Sequence, residues 1–290
     1  MRIALLTCAS NLPGARDRRT DAFEHDVMVA TLGAAFADNG DHVEVVRWDA
    51  LSEDWSRFDG ALLGTVWDYP RRKDEFLSAI DRIACATRLF NPPPLVRWNL
   101  DKSYLRDLHG KGVPIIPAIW LDTPDTRAVE ASFDALETND IVLKQRVSGN
   151  SEGQYRLRRT DRIPDSCQPM FAQPFLPAIL EEGEYSFIFI GGHFSHALLK
   201  CPASGDYRVQ SDYGGTERAI TPDDDDLAAA AAALSALEDA PLYARVDMVR
   251  GNEGSLLLME LELIEPFLYP EQGPHLGRML HGALAERLGF

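Results

Sequence analysis

Short apolar runs alternate with helical patterns through the first ninety residues, and few folds accept that order. Residues 2–7, 42–48 and 60–66 read as strands, while 27–38 and 74–86 read as helices, the first stopped by Asn39-Gly40. Strands joined through helices form a parallel sheet with right-handed crossovers. In such sheets ligands bind beyond the C-terminal ends of the strands, where Trp67, Asp68 and Tyr69 follow the third run. Asn91-Pro92-Pro93-Pro94 then punctuates the chain and marks a domain boundary.

The pattern changes afterwards. A helix is expected at 101–110 and strands at 113–121, 140–146, 154–159 and 170–175, with the polar loop Ser148-Gly149-Asn150-Ser151-Glu152-Gly153 between two of them. Residues 185–190 and 194–200 form a hairpin across Gly191-Gly192-His193. A helix follows to Leu237, with Thr221 as its cap, Pro222 in its first turn and Asp223 to Asp226 at its positive end. Strands at 243–249 and 255–263 and a closing helix at 276–288 complete the reading.

Charge and cysteine content exclude several classes of function. With 29 basic against 45 acidic residues the net charge is −16, which disfavours non-specific binding to nucleic acid or anionic membrane. No apolar run approaches the length of a membrane span, and the stretch before Cys8 is too short for a signal sequence. Cys8, Cys85, Cys167 and Cys201 show no metal-ligand spacing, so a reducing cytoplasm is the expected setting.

Three features carry chemistry. Cations stand on regular elements: Lys102, Lys144 within an apolar strand, Lys200, Arg208 and Arg245. Burying such a lysine is costly unless an anion pairs with it. Acids cluster late in the chain, with Asp247 on one strand and Glu260 and Glu262 on one face of the next. Three carboxylates on one patch repel each other, and Mg2+ relieves that repulsion. The Ser148–Gly153 loop offers backbone N–H groups that can cover a polyphosphate. Cations, metal-holding acids and a mobile glycine loop are what phosphoryl transfer from Mg·ATP requires, yet no P-loop or protein-kinase motif is present.

The segment Ala172-Gln173-Pro174-Phe175-Leu176-Pro177-Ala178-Ile179 with Gly183-Glu184 resembles the adenine hinge of bacterial glutathione synthetase and related ATP-grasp ligases. Gly205-Asp206-Tyr207-Arg208, Gly214-Gly215, Arg245-Val246-Asp247 and Glu260-Leu261-Glu262 follow in that family's order. Trp67-Asp68-Tyr69-Pro70 and Val96-Arg97-Trp98-Asn99 with Asp101-Lys102 resemble the narrower D-cycloserine synthetase group, whose reaction closes O-ureido-D-serine into a ring. The resemblance implies an α/β ATP-grasp fold. It divides the chain into an N-terminal Rossmann-like domain (1–97), a central subdomain (98–172) and a C-terminal catalytic subdomain (173–290). It also implies an ADP-forming carboxylate–amine ligase with ATP and two Mg2+ as cofactors, small-molecule acid and amine substrates, and a homodimer as an assembly common among similar ligases.

Residue by residue, the resemblance sets Lys102 and Lys144 on the nucleotide phosphates. Ser148, Gly149 and Gly153 lie over them, Gln173, Pro174, Phe175 and Leu176 at adenine, and Glu184 near the ribose. Arg208, Lys200 and Arg245 are the catalytic cations, Asp247, Glu260 and Glu262 the metal ligands, and Trp67, Asp68, Tyr69, Gly214 and Gly215 the substrate contacts. Many family members carry Asn where Glu262 stands.

Plainer readings stand beside these. Lys144 alone is also what an edge strand uses against aggregation, Glu260 and Glu262 suit a solvent face, and the glycine loop suits an ordinary hairpin. His193 and His196 read as a solvated pair at a turn, and Arg16-Asp17-Arg18-Arg19 as a solvated loop. A nucleotide-binding regulatory protein without turnover and a kinase-like phosphotransferase are the rival classes.

Overall fold

The computed structural model describes residues 1–290. It opens with β1 (Arg2–Thr7), α1 (Ala22–Ala37), β2 (His42–Arg47), β3 (Gly60–Thr65), α2 (Lys73–Ala86) and β4 (Arg88–Phe90). The strands form a parallel sheet in the order β2-β1-β3-β4. β1 is buried from Ile3 to Thr7, as a central parallel strand with helices over both faces must be. α1 starts earlier than its apolar pattern suggests because the inward residue of its first turns is polar: His25 is buried with Nδ1 2.6 Å from Thr65 Oγ1.

Next come α3 (Pro93–Asn99), α4 (Tyr104–Gly110), β5 (Ile119–Leu121), α5 (Thr126–Ala135), β6 (Asp140–Gln145), β7 (Gln154–Arg158) and β8 (Met170–Pro174). This sheet is antiparallel, in the order β5-β8-β6-β7. The strand expected over 113–121 shrinks to β5, since Pro114 and Pro117 donate no hydrogen bonds; Ile115 makes only an isolated bridge to Leu258. α5 was not expected. Asp125 caps it, accepting from Ala128 N at 2.7 Å.

The last part holds α6 (Ala178–Glu181), β9 (Glu184–Ile190), β10 (His193–Cys201), β11 (Thr216–Ile220), α7 (Asp224–Ser235), β12 (Tyr243–Arg250), β13 (Leu256–Glu262) and α8 (Leu276–Leu288). Its five-stranded antiparallel sheet runs β11-β10-β9-β12-β13. Asp223, not Thr221, caps α7, accepting from Asp226 N at 2.8 Å, and Thr221 and Pro222 lie outside the helix. α8 returns to α1 and places Leu276, Leu280 and Leu284 in the same core as Leu32 and Phe36. Asn91 is a buried staple: its amide donates to Tyr243 O and Leu263 O and accepts from Leu242 N. No helix is long and apolar enough to cross a membrane.

Candidate active site

A cavity of 420 Å³ opens between the two antiparallel sheets, and loops from the C-terminal edge of the parallel sheet complete its wall. Its charged floor is set by strand register. β12 pairs antiparallel with β13, so Asp247 stands opposite Glu260 and Arg245 opposite Glu262. Strict alternation along β13 would put Leu256, Leu258, Glu260 and Glu262 on one face. A bulge at Met259 breaks it: Leu256, Leu258 and Leu261 enter the core, while Met259, Glu260 and Glu262 face the cavity.

Each acid has a cationic partner. Lys200 on β10 reaches Glu184, its cross-strand neighbour on β9, and Asp247 at 3.3 Å. Arg245 binds Asp247 through Nε at 3.0 Å and pairs with Glu262. Lys102 lies 3.1 Å from Glu260 and donates to Ser148 O at 2.7 Å. Burial alone would raise the Asp247 carboxyl, but Arg245 and Lys200 outweigh it and hold it below its ordinary value. Burial raises Glu184 despite Lys200. Burial, partly offset by Arg245 and reinforced by Glu260 and Asp247, pushes Glu262 up to about 8. Lys144 lies on β6 between β8 and β7, so it guards no edge, and burial depresses its ammonium.

The expected trio therefore does not stand as a free carboxylate cluster. Its chemistry still fits a hard cation. Asp247, Glu260 and Glu262 offer only oxygen donors on one wall, and the negative charge crowding Glu262 is what a divalent ion relieves.

Beyond this floor the cavity becomes apolar. Val142, Phe175, Leu176, Ile179, Val249 and Met259 line it together with Ile116. Gln173 projects into this slot at 1% exposure, and its Oε1 has no hydrogen-bond partner. A flat apolar slot with one orphaned acceptor suits a base that carries an amino donor, as adenine does.

Of the expected residues, Lys102, Lys144, Ser148, Gly149, Gln173, Pro174, Phe175, Leu176, Glu184, Lys200, Arg208, Arg245, Asp247, Glu260, Glu262 and Trp67 line the cavity. Asp68, Tyr69, Gly153, Gly214 and Gly215 do not. Asp68 accepts from Trp48 Nε1 at 2.7 Å and pairs with Arg72, while Tyr69 is buried behind the wall, hydrogen-bonded to Glu265. Gly153 sits at φ +67° beneath Gln145. The glycine loop is both a hairpin connection, from β6 to β7, and part of the cavity wall.

Two loop readings are corrected. Arg16, Asp17 and Arg18 are exposed as expected, but Arg19 is half-buried: it pairs with Asp21 at the cavity and lies over the Trp67 ring at 5.4 Å. His196 is buried, donating from Nε2 to Leu268 O at 3.0 Å, and only His193 is exposed. Sequence reasoning also missed Glu24, Glu265 and Tyr269. Burial pushes Glu24 up to about 7 against its hydrogen bond from Ser211, and Glu265 up to about 7 against its bond from Tyr69. Nothing in their local sequence signals this, because each is isolated among residues that turn elsewhere.

One parallel and two antiparallel sheets around a charged and apolar cleft are the arrangement of an ATP-grasp ligase, a class of enzyme that uses ATP and Mg2+. Residues 3–91 match the family model described as D-cycloserine synthetase DcsG, N-terminal domain. The chain is 35% identical to the cycloserine biosynthesis protein DcsG of Streptomyces lavendulae, over 99% of this chain and 98% of that one. It superposes on the crystal structure of D-cycloserine synthetase DcsG with a TM-score of 0.85 at 32% identity, covering 99% and 100% of the two chains. It shares the fold of D-alanine–D-alanine ligase from Bacillus anthracis, with a TM-score of 0.67 at 16% identity over 99% and 97%. The chain belongs to the D-cycloserine synthetase family of ATP-grasp ligases.

Proposed function

We propose that this chain uses Mg·ATP to activate the carboxylate of O-ureido-D-serine and closes it on an internal nitrogen, yielding the D-cycloserine ring. The observation that carries the reading is the β12–β13 register, which sets alternating acids and cations beside an apolar slot holding an unpartnered Gln173 acceptor. The substrate carboxylate takes the γ-phosphoryl group and ADP leaves. The nitrogen, which still carries the ureido carbamoyl group, then attacks the acyl carbon and gives up its proton as phosphate departs, and hydrolysis of the carbamoyl group to CO2 and ammonia leaves the ring amide N–H. Positioning and charge neutralisation supply the rate, since no protein nucleophile is required.

In this reading Lys102 and Lys144 bind the phosphates, Gln173 to Leu176 bind adenine, and the 148–153 loop excludes water. Arg208, Lys200 and Arg245 stabilise charge at the transferred group, with Lys200 and Arg245 also fixing the acids. Asp247, Glu260 and Glu262 would hold two Mg2+, which when bound neutralise charge on the phosphates. The reading assigns substrate, nucleotide-cover and catalytic units to 1–97, 98–172 and 173–290, although α3 and β8 run across the two boundaries, and the cysteines, all free, suit the cytoplasm.

The test is ADP release from Mg·ATP with O-ureido-D-serine, with mass detection of the product. A cyclised product supports the proposal, and ADP with a stable phosphorylated acid overturns it. Arg208→Ala is expected to lose turnover while keeping nucleotide binding; unchanged ATP consumption in that variant contradicts the assigned role.

A further inference from the structure

Six of the eight acids on the cavity wall lie in ion pairs, and two do not. Glu24 and Glu265 are held by hydroxyls instead, from Ser211 at 2.8 Å and from Tyr69. Their surroundings differ. The charged groups around Glu24 are Asp21, Arg245 and Glu217, whereas those around Glu265 are Lys102, Arg245, Glu260 and Glu262. Glu265 Oε1 lies beneath Gly149, where a β-carbon would be 3.8 Å away, and the adjoining Ser148 carbonyl takes Lys102 Nζ at 2.7 Å. The carboxylate therefore stands beside the lysine assigned to the phosphates. Its backbone is fixed as well. Glu265 O accepts from Trp67 Nε1 at 3.1 Å, and Ile264 O accepts at 3.0 Å from the Tyr243 hydroxyl, shared with Leu63 O of β3 at 2.8 Å.

We propose that Glu265 is the catalytic base of ring closure, binding the ureido group of the substrate and taking the proton of its attacking nitrogen; this rests on the ligase reading above. The two N–H groups of a urea lie parallel, so one carboxylate accepts both as it accepts a guanidinium. As the nitrogen bonds to the acyl carbon, phosphate leaves with the electron pair of the breaking C–O bond and the N–H proton passes to the Glu265 carboxylate. The carboxyl returns that proton to solvent once the product has left. A cationic partner would make a carboxylate a weaker base, which sets Glu265 apart from the six paired acids. Burial holds it at about 7, where a general base serves best near neutral pH.

Phosphorylation of the substrate carboxylate needs no base, so Glu265→Gln should separate the two half-reactions. The measurements are ADP, cyclised product and, with hydroxylamine added as a trap for the acyl phosphate, the hydroxamate of O-ureido-D-serine. In Glu265→Gln, cyclised product should fall about a hundredfold or more while ADP release stays within severalfold of the parent and hydroxamate appears. Formate should restore part of the ring closure in Glu265→Ala, because a small carboxylate can occupy the vacated space. Cyclised product per ADP unchanged in Glu265→Gln overturns the proposal. So does a parallel loss of ADP and product with no hydroxamate and no rescue by formate, which marks a structural role. Hydroxamate formed by Glu24→Gln and not by Glu265→Gln moves the base to the other acid and overturns it too. A parent chain that does not cyclise O-ureido-D-serine defeats the substrate reading and this assignment together, whereas a competent parent with an indifferent variant defeats this assignment alone.

Discussion

Replacing Lys200 with Met tests whether the charged floor is a self-neutralised network. Lys200 is 5% exposed in its side chain and serves two carboxylates, Glu184 and Asp247, that are 6% and 2% exposed. Methionine fills similar volume, so the loss is electrostatic: one cation disappears and two buried acids lose a partner. Breaking a buried pair in this way costs about 3–5 kcal/mol. A chain of this length unfolds with an entropy of about 0.6 kcal/mol/K, so Tm should fall by about 5–8 °C. Calorimetry of the nucleotide-free protein at pH 8 reads this directly. The pH dependence adds a second check. Glu184 is already raised above its unfolded value, and losing Lys200 raises it further. A carboxyl raised by folding contributes its stability at low pH and loses it as pH climbs through the folded value, so the deficit should shrink at pH 6. Adding Glu184→Gln to Lys200→Met removes one orphaned charge and should recover part of the loss. A Tm within a degree of the parent, or a double variant no better than the single one, would refute the reasoning.

Three further outcomes are expected. Asn91→Ala leaves Leu242 N, Tyr243 O and Leu263 O without their side-chain partner, a loss of about 3–5 kcal/mol that denaturant melts should register. Glu24 and Glu265 at about 7 and Glu262 at about 8 are raised by burial above an unfolded value near 4.3, so their stabilisation is complete at acid pH and lost as pH rises through 7–8. Tm of the ligand-free protein should fall between pH 6 and 9, and Mg·ADP should flatten that slope; a flat ligand-free profile contradicts the shifts. Gly153→Ala meets both a φ of +67° and a Cβ contact of 2.3 Å with the Gln145 carboxamide. It should cost about 1 kcal/mol and raise KM for ATP severalfold by displacing the loop, whereas an unchanged KM would detach the loop from nucleotide binding.

The fold was legible where a pattern is local. β1, α2, the β9–β10 hairpin and α8 announce themselves by alternation or helical period, and the acids of β13 by their spacing. β11 did not, since an edge strand exposed from Thr216 to Ala219 has no buried face to alternate. Nor did the bulge at Met259, although it decides which leucines enter the core; both registers fit Leu256 to Glu262 as written. Asn91 shows the same limit. Beside three prolines it reads as punctuation, whereas its amide replaces backbone partners for strands 150 residues later, a role that only the packed chain defines.

Charge was legible as composition but not as arrangement. A net charge of −16 disfavours non-specific binding to nucleic acid or membrane without forbidding an anionic ligand: the cavity wall carries seven basic and eight acidic side chains, so the excess lies on the outer surface. Inside, Lys102 with Glu260, Lys200 with Asp247 and Glu184, and Arg245 with Glu262 already satisfy one another. In the proposed reading, anion and cation brought together as Mg·ATP exchange partners with these pairs and add little net charge to the site. The desolvation of both signs is met before the ligand arrives, and that is why a strongly acidic protein can hold a polyphosphate.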